Sequence, residues 1–183
     1  MLTRDESLAL VRKHVAKENN IKHMITVGAV MRELAVGLGE DPAKWEMVGI
    51  LHDIDFEKCT GLTDHTKIAK DLLKGVVEDE VMDAIMAHNW ENTGVALDTK
   101  MKKALVASDA VSGLIVAAAL VMPSKRLAEV KPDSLMKKFK SKEFARGASR
   151  ERMAICSEFG LSLEEFLKAA LEGMKKVADE LGL

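Results

Sequence analysis

Six side chains of the kinds that bind transition metals, His23, His52, Asp53, His65, His88 and Asp109, fall at related places in this sequence. His23 lies in line with Val27, Val30 and Leu34, at steps of four, three and four residues, on the apolar stripe of a helix. His52 follows Trp45 and Val48 at seven and four residues, His65 precedes Ile68 and Leu72, and His88 follows Val81 and Ile85. Each stands at or near a helix end, on the side that faces the core. Asp109 falls inside the most apolar helix, between Leu105 and Ser112, and faces inward. A single inward histidine is most simply a core side chain bonded to a carbonyl oxygen. An inward carboxylate is different, because burying it without a partner is costly. Four imidazoles and a carboxylate from five helices require one common partner. One or two divalent ions of iron, manganese, nickel, cobalt or zinc would supply it.

The adjacent pair His52-Asp53 sharpens this expectation. Neighbouring residues inside a helix point about 100° apart and rarely converge. At a frayed helix end the backbone is free to turn Asp53 back toward His52. A lone His-Asp pair arises often by chance, whereas the order His, His-Asp, His, His, Asp along successive helices is specific.

The elements that must position these groups all read as helices. Thr3 and Glu6 form a capping-box pattern ahead of Leu8, Val11 and Val15. A helical repeat runs from about Asn20 to Leu38, with Gly39 as its stop, and Asp41-Pro42 opens a short helix that ends near His52-Asp53. A polar loop over 55–64 leads to a helix carrying Ile68, Leu72 and Leu73, and another helix spans about 78–88. Asp98 is placed to cap the long apolar helix ending before Pro123. Beyond a Pro- and Lys-rich stretch, Ser149 and Ser162 are placed to cap two final helices, the second with Glu165 completing a capping box. No period-two pattern persists, and aromatics are scarce at 4% with no tyrosine, so a sheet is not expected. The expected architecture is one all-α domain over 1–183, with a motif-bearing core of about 20–120 and a helical extension over 121–183.

Bulk properties narrow the function classes. A net charge of -2 predicts no overall attraction to nucleic acid or to an acidic membrane. Cys59 and Cys156 are too few for a disulfide framework, and the first residues lack an apolar signal core, so a cytoplasmic protein is expected. Residues 104–122 approach membrane-spanning length with one charge, but Ser108, Asp109, Ser112 and Gly113 interrupt them, which suits a buried helix.

His23, the pair His52-Asp53 inside LHDID, and Asp109 resemble the motif of the HD superfamily of metal-dependent phosphohydrolases. His65 in HTKIAKDLL and His88 in IMAHN resemble its dinuclear branch, which includes cyclic dinucleotide phosphodiesterases and myo-inositol oxygenase. The resemblance spans roughly Ile21 to Leu120. It implies a compact helical HD-domain fold in which His23, His52, Asp53 and Asp109 hold one metal. A second would be held by Asp53, His65 and His88, with the Asp53 carboxylate bridging. The commoner subfamily pattern HDIGK is here His52-Asp53-Ile54-Asp55-Phe56, so the phosphate-meeting lysine is missing and Lys58 or Lys67 is expected to substitute. Some members carry two consecutive histidines where this chain reads His88-Asn89, leaving the second ion weakly held or with an open position. His14 matches nothing and reads as a solvated residue.

The chemistry implied is hydrolysis of a nucleotide or other small phosphorylated metabolite by metal-activated water, with Asp53 at its centre and Asp55 as a base or an orienter. From Ser124 to Arg152 ten basic residues face four acids, a local +6 hidden within the near-neutral total. Lys137 and Arg146 in this segment are expected to meet the anionic substrate. Nucleic acid is not expected, since only Phe139 and Phe144 are available there for stacking. Two alternatives stay open, a di-iron oxygenase of the same fold and a metal-holding regulatory or binding module without turnover. The sequence leaves the oligomeric state undetermined.

Overall fold

Capping and apolar periodicity set most of the helices seen in the computed structural model, which describes residues 1–183. The chain runs α1 (Arg4–His14), α2 (Glu18–Leu38), α3 (Pro42–Leu51), α4 (Lys67–Leu72), α5 (Asp79–His88) and α6 (Trp90–Thr93). It continues through α7 (Lys100–Leu120), α8 (Pro132–Lys140), α9 (Arg150–Ala154), α10 (Leu163–Lys175) and α11 (Ala178–Leu181), and has no strand. The fold is all-α. Thr3 with Glu6, and Ser162 with Glu165, form complete capping boxes, while Asp41 caps α3 ahead of Pro42. The short helices α6 and α11 have no counterpart in the sequence reading, and two further details depart from it. Thr99, not Asp98, caps α7, because the Asp98 carboxylate accepts from Lys102 Nζ at 2.8 Å instead. The Pro- and Lys-rich stretch also contains a helix, α8, opened by Pro132 and anchored through the buried Leu135.

A single apolar cluster extends from Val11 to Leu181. Its centre is α7, the one helix long and apolar enough to cross a membrane, yet 67% of its most apolar window is buried inside the protein. α2 and α3 pack together at Gly28 and Gly49. A Cβ on Gly49 would stand 2.7 Å from the Gly28 Cα and amide nitrogen, so here the two backbones touch. That contact brings the start of α2, with His23, beside the end of α3, with His52.

Ion pairs fasten the periphery. The buried Glu46 accepts from Arg4 Nε at 3.1 Å and from Arg32 Nη1 at 2.9 Å, joining α1, α2 and α3. Arg4 also donates to Glu180 of α11 at 2.8 Å. Glu57, in the loop after α3, accepts from the Ala16 and Lys17 amides at 3.0 and 2.9 Å and so caps the start of α2. The loop that follows His52-Asp53 is thereby tied down near His23.

Candidate metal centre

His52 caps the C-terminus of α3 and is fully buried. Its Nδ1–H donates to the Gly49 carbonyl at 2.8 Å, which fixes the tautomer and leaves the Nε2 lone pair facing inward without a partner. Burial, only partly offset by the neighbouring carboxylates, pushes its pKa down to about 4, so the ring is neutral at neutral pH. His65 stands in the turn just before α4, not on a helix, and its Nδ1–H donates to Asp55 Oδ1 at 2.9 Å. His88 ends α5, and its Nδ1 has no partner. His23, on α2, turns Nε2 toward Asp109 Oδ1 at 3.2 Å while Nδ1 meets Ser112 Oγ at 3.3 Å. His14 is elsewhere, at the end of α1.

Asp53 lies in the middle of the four rings. Its Oδ1 is 3.5, 3.2 and 3.7 Å from Nε2 of His52, His65 and His88, and its Oδ2 is 3.7 Å from His23 Nε2. Burial would raise the Asp53 pKa, but the surrounding imidazoles hold it well below the usual carboxylate range. Asp109 is likewise held down, to about 2, by His23 and His88 against the effect of burial. Its side chain keeps 24% exposure, so it faces the cleft rather than the apolar core.

Three inward-facing polar atoms of this cluster, His52 Nε2, His88 Nδ1 and Asp53 Oδ1, are buried without a hydrogen-bond partner. Buried polar atoms rarely go unpaired, and lone pairs converging on one space are what a cation requires. Two overlapping groups, His23 with His52 and Asp109, and His52 with Asp53 and His88, keep their ligand atoms within 4.8 Å of one another. The donor set fits a divalent metal.

Asp55 is fully buried, and its second oxygen accepts from the Ala69 amide at 2.9 Å. With both oxygens engaged and no surface open to solvent, it orients His65 and is no general base for a substrate. Asn89, the residue after His88, is also committed: its amide donates to the Leu62 and His65 carbonyls at 2.7 and 2.9 Å. Where some resembling proteins have a second histidine, this chain has a tether for the turn that carries His65.

The centre lies in a cleft of about 690 Å³ that also exposes Asn20, Phe56, Leu62, Asn92 and Arg152. A second cavity of about 570 Å³ joins it at His23, Asp109 and Arg152 and is walled mostly by small residues. The four expected substrate-binding cations do not reach either space. Lys58 and Lys67 are exposed outside them, at the loop after α3 and at the first turn of α4. Lys137 is exposed on α8, and the exposed Arg146 is paired with Glu143. Another residue of the basic segment, Arg152, arrives instead. Ser149 caps α9 against α7, which places Arg152 over the cleft, and only the packing of α9 on α7 separates it from its neighbours. Arg150 serves structure: its guanidinium donates to six backbone carbonyls, of residues 138, 139, 141, 144, 145 and 148. It holds the loop that walls the second cavity.

Fold and site together define an all-helical protein whose His and Asp side chains converge on a position suited to a divalent metal. The family model of the HD domain matches residues 20–110, about half the chain, and includes all six of these residues. The chain belongs to the HD-domain superfamily, a superfamily of metal-dependent phosphohydrolases. No curated protein and no solved structure matches it.

Proposed function

We propose that this chain is a metal-dependent phosphohydrolase acting on a nucleotide or another small phosphoester. The observation that carries the reading is the position of Asp53, ringed by four imidazoles at the foot of an open cleft. The proposed ligand set is His23, His52, Asp53 and Asp109 for one ion and Asp53, His65 and His88 for a second. A divalent ion so held lowers the pKa of water from about 15.7 toward 7 and neutralises phosphoryl charge. The Gly49 carbonyl fixes His52, so its Nε2 presents a lone pair without reorganisation, and the Asp55 carboxylate orients the ring of His65, whose Nε2 must first lose its proton. Phe56 and Leu62, exposed apolar side chains at the lip, offer a surface for the base or sugar of a nucleotide.

The test is release of phosphate from a panel of nucleotides, sugar phosphates and cyclic dinucleotides, each with Mn²⁺, Co²⁺, Ni²⁺ and Fe²⁺. Asp53→Ala should abolish turnover, since groups that act as a unit fail together. Wild-type turnover in that variant would exclude the centre as the catalyst. If nothing in the panel is hydrolysed and the iron-loaded protein consumes dioxygen, the oxygenase reading replaces this one.

A further inference from the structure

Arg152 is the only lysine or arginine that lines either cavity, and it stands where the two meet beside His23 and Asp109. It is gripped from two sides. Nη2 donates to both oxygens of Glu91 at 2.9 Å, and the guanidinium carbon lies 4.5 Å from the centre of the Trp90 ring. Nη1 makes no hydrogen bond to either partner. It lies 4.0 Å from Asp109 Oδ2, beyond hydrogen-bond length, so that edge of the fork faces the cleft uncommitted. A planar cation held rigidly with one edge open is preorganised for an oxyanion, because little rotamer freedom is lost when the anion binds. Its side chain is 28% exposed, so an incoming anion can reach it without unfolding α9.

We propose that Arg152 binds the phosphoryl oxygens of the substrate at the junction of the two cavities, with Glu91 and Trp90 as its positioning residues. This rests on reading the centre as that of a phosphohydrolase, and it falls outside the 20–110 span of the family match. Arg152 thereby supplies the cation that the sequence His52-Asp53-Ile54-Asp55 lacks beside its metal ligands. A phosphorus placed there has one cavity on each side, so its ester arm and its leaving group extend in different directions.

The competing role is a latch that merely holds α9 against α6. Titration calorimetry with inorganic phosphate on the Mn²⁺-loaded protein separates the two. Arg152→Ala should weaken phosphate binding by at least about tenfold, the size expected for loss of one or two charge-assisted hydrogen bonds. Binding of Mn²⁺ alone should not weaken, since a nearby positive charge has been removed. Arg152→Lys, which keeps the charge and loses the fork, should fall between wild type and alanine. Arg152→Gln reads the same loss should alanine unfold the end of α9. Unchanged phosphate affinity in these variants, or no phosphate binding by the wild type, overturns the proposal. Phosphate bound through Arg152 in a protein that hydrolyses nothing would sustain it and overturn the hydrolase reading instead. Hydrolysis that survives alongside unchanged phosphate affinity would do the reverse.

Discussion

Two carboxylates face His65 from opposite edges of its ring: Asp55 accepts from Nδ1 at 2.9 Å, and Asp53 Oδ1 stands 3.2 Å from Nε2. Burial works against the imidazolium, but the two acids outweigh it and push its pKa up to about 9. In the metal-free protein His65 is therefore a cation at neutral pH, and any ion that takes its Nε2 must displace a proton. Metal affinity should rise with pH up to about 9 and then level off, with proton release measurable in weakly buffered titrations. Asp55→Asn should lower the His65 pKa and weaken metal binding by roughly 10–100-fold, read by competition with a chelator. An unchanged His65 titration in that variant would show that Asp55 does not set its charge. Sequence spacing alone pointed to His23, His52, His65, His88 and Asp109, because each stands against an apolar stripe that only the core explains. It left Asp55 as base or orienter, since the choice depends on the Ala69 amide fourteen residues away.

The contact of α2 with α3 has no room for a methyl group. Gly49→Ala would put its Cβ against the Gly28 backbone, so α3 must shift or the helices must part. The expected cost is about 1–3 kcal/mol of unfolding free energy. Metal binding should weaken too, because Gly49 also supplies the carbonyl that orients His52. Denaturant unfolding and metal titration of the one variant check both effects, and wild-type stability would refute the close contact. Helix starts were legible at Thr3, Asp41, Ser149 and Ser162, each of which caps its helix, whereas at α7 the adjacent Asp98 and Thr99 both had the chemistry of a cap and the wrong one was read. α8 was not read from the sequence, because its lysines obscured a proline at the first helical turn and the apolar pair Leu135 and Phe139. His65 was expected near a helix start, yet its turn depends on Thr66 in the left-handed region at φ 67°. A β-branched residue gives no sequence signal for that conformation.

The proposed ligands span residues 23 to 109 and meet only when α2, α3, α5 and α7 share one core. The unfolded chain offers no such site, so bound metal must stabilise the folded state. At an ion concentration of 100 times Kd the gain is about 2.7 kcal/mol. Melting with Mn²⁺ and then with excess EDTA should show a higher Tm with the metal, and Asp53→Asn should shrink the difference. Equal melting temperatures for the wild type would argue against a site formed by folding. Charge is the feature that sequence conveyed least well at this scale. The +6 segment reads as one basic patch, but its members have separate uses: Arg150 on carbonyls, Arg146 on Glu143, Lys138 over the Phe144 ring and Arg152 at the cleft. The docking of α9 on α7 is what brings Arg152, alone of these, to the cleft.

Arg150 holds its loop through carbonyl oxygens, a group that every amino acid carries. The shape of that wall is thus largely independent of the side chains displayed on it. Gly147, which lines the second cavity, has open space where a Cβ would stand, with no atom within 4 Å. A lineage, or an engineer, could alter what this cavity accepts by varying such a position while leaving both the scaffold and the metal ligands untouched.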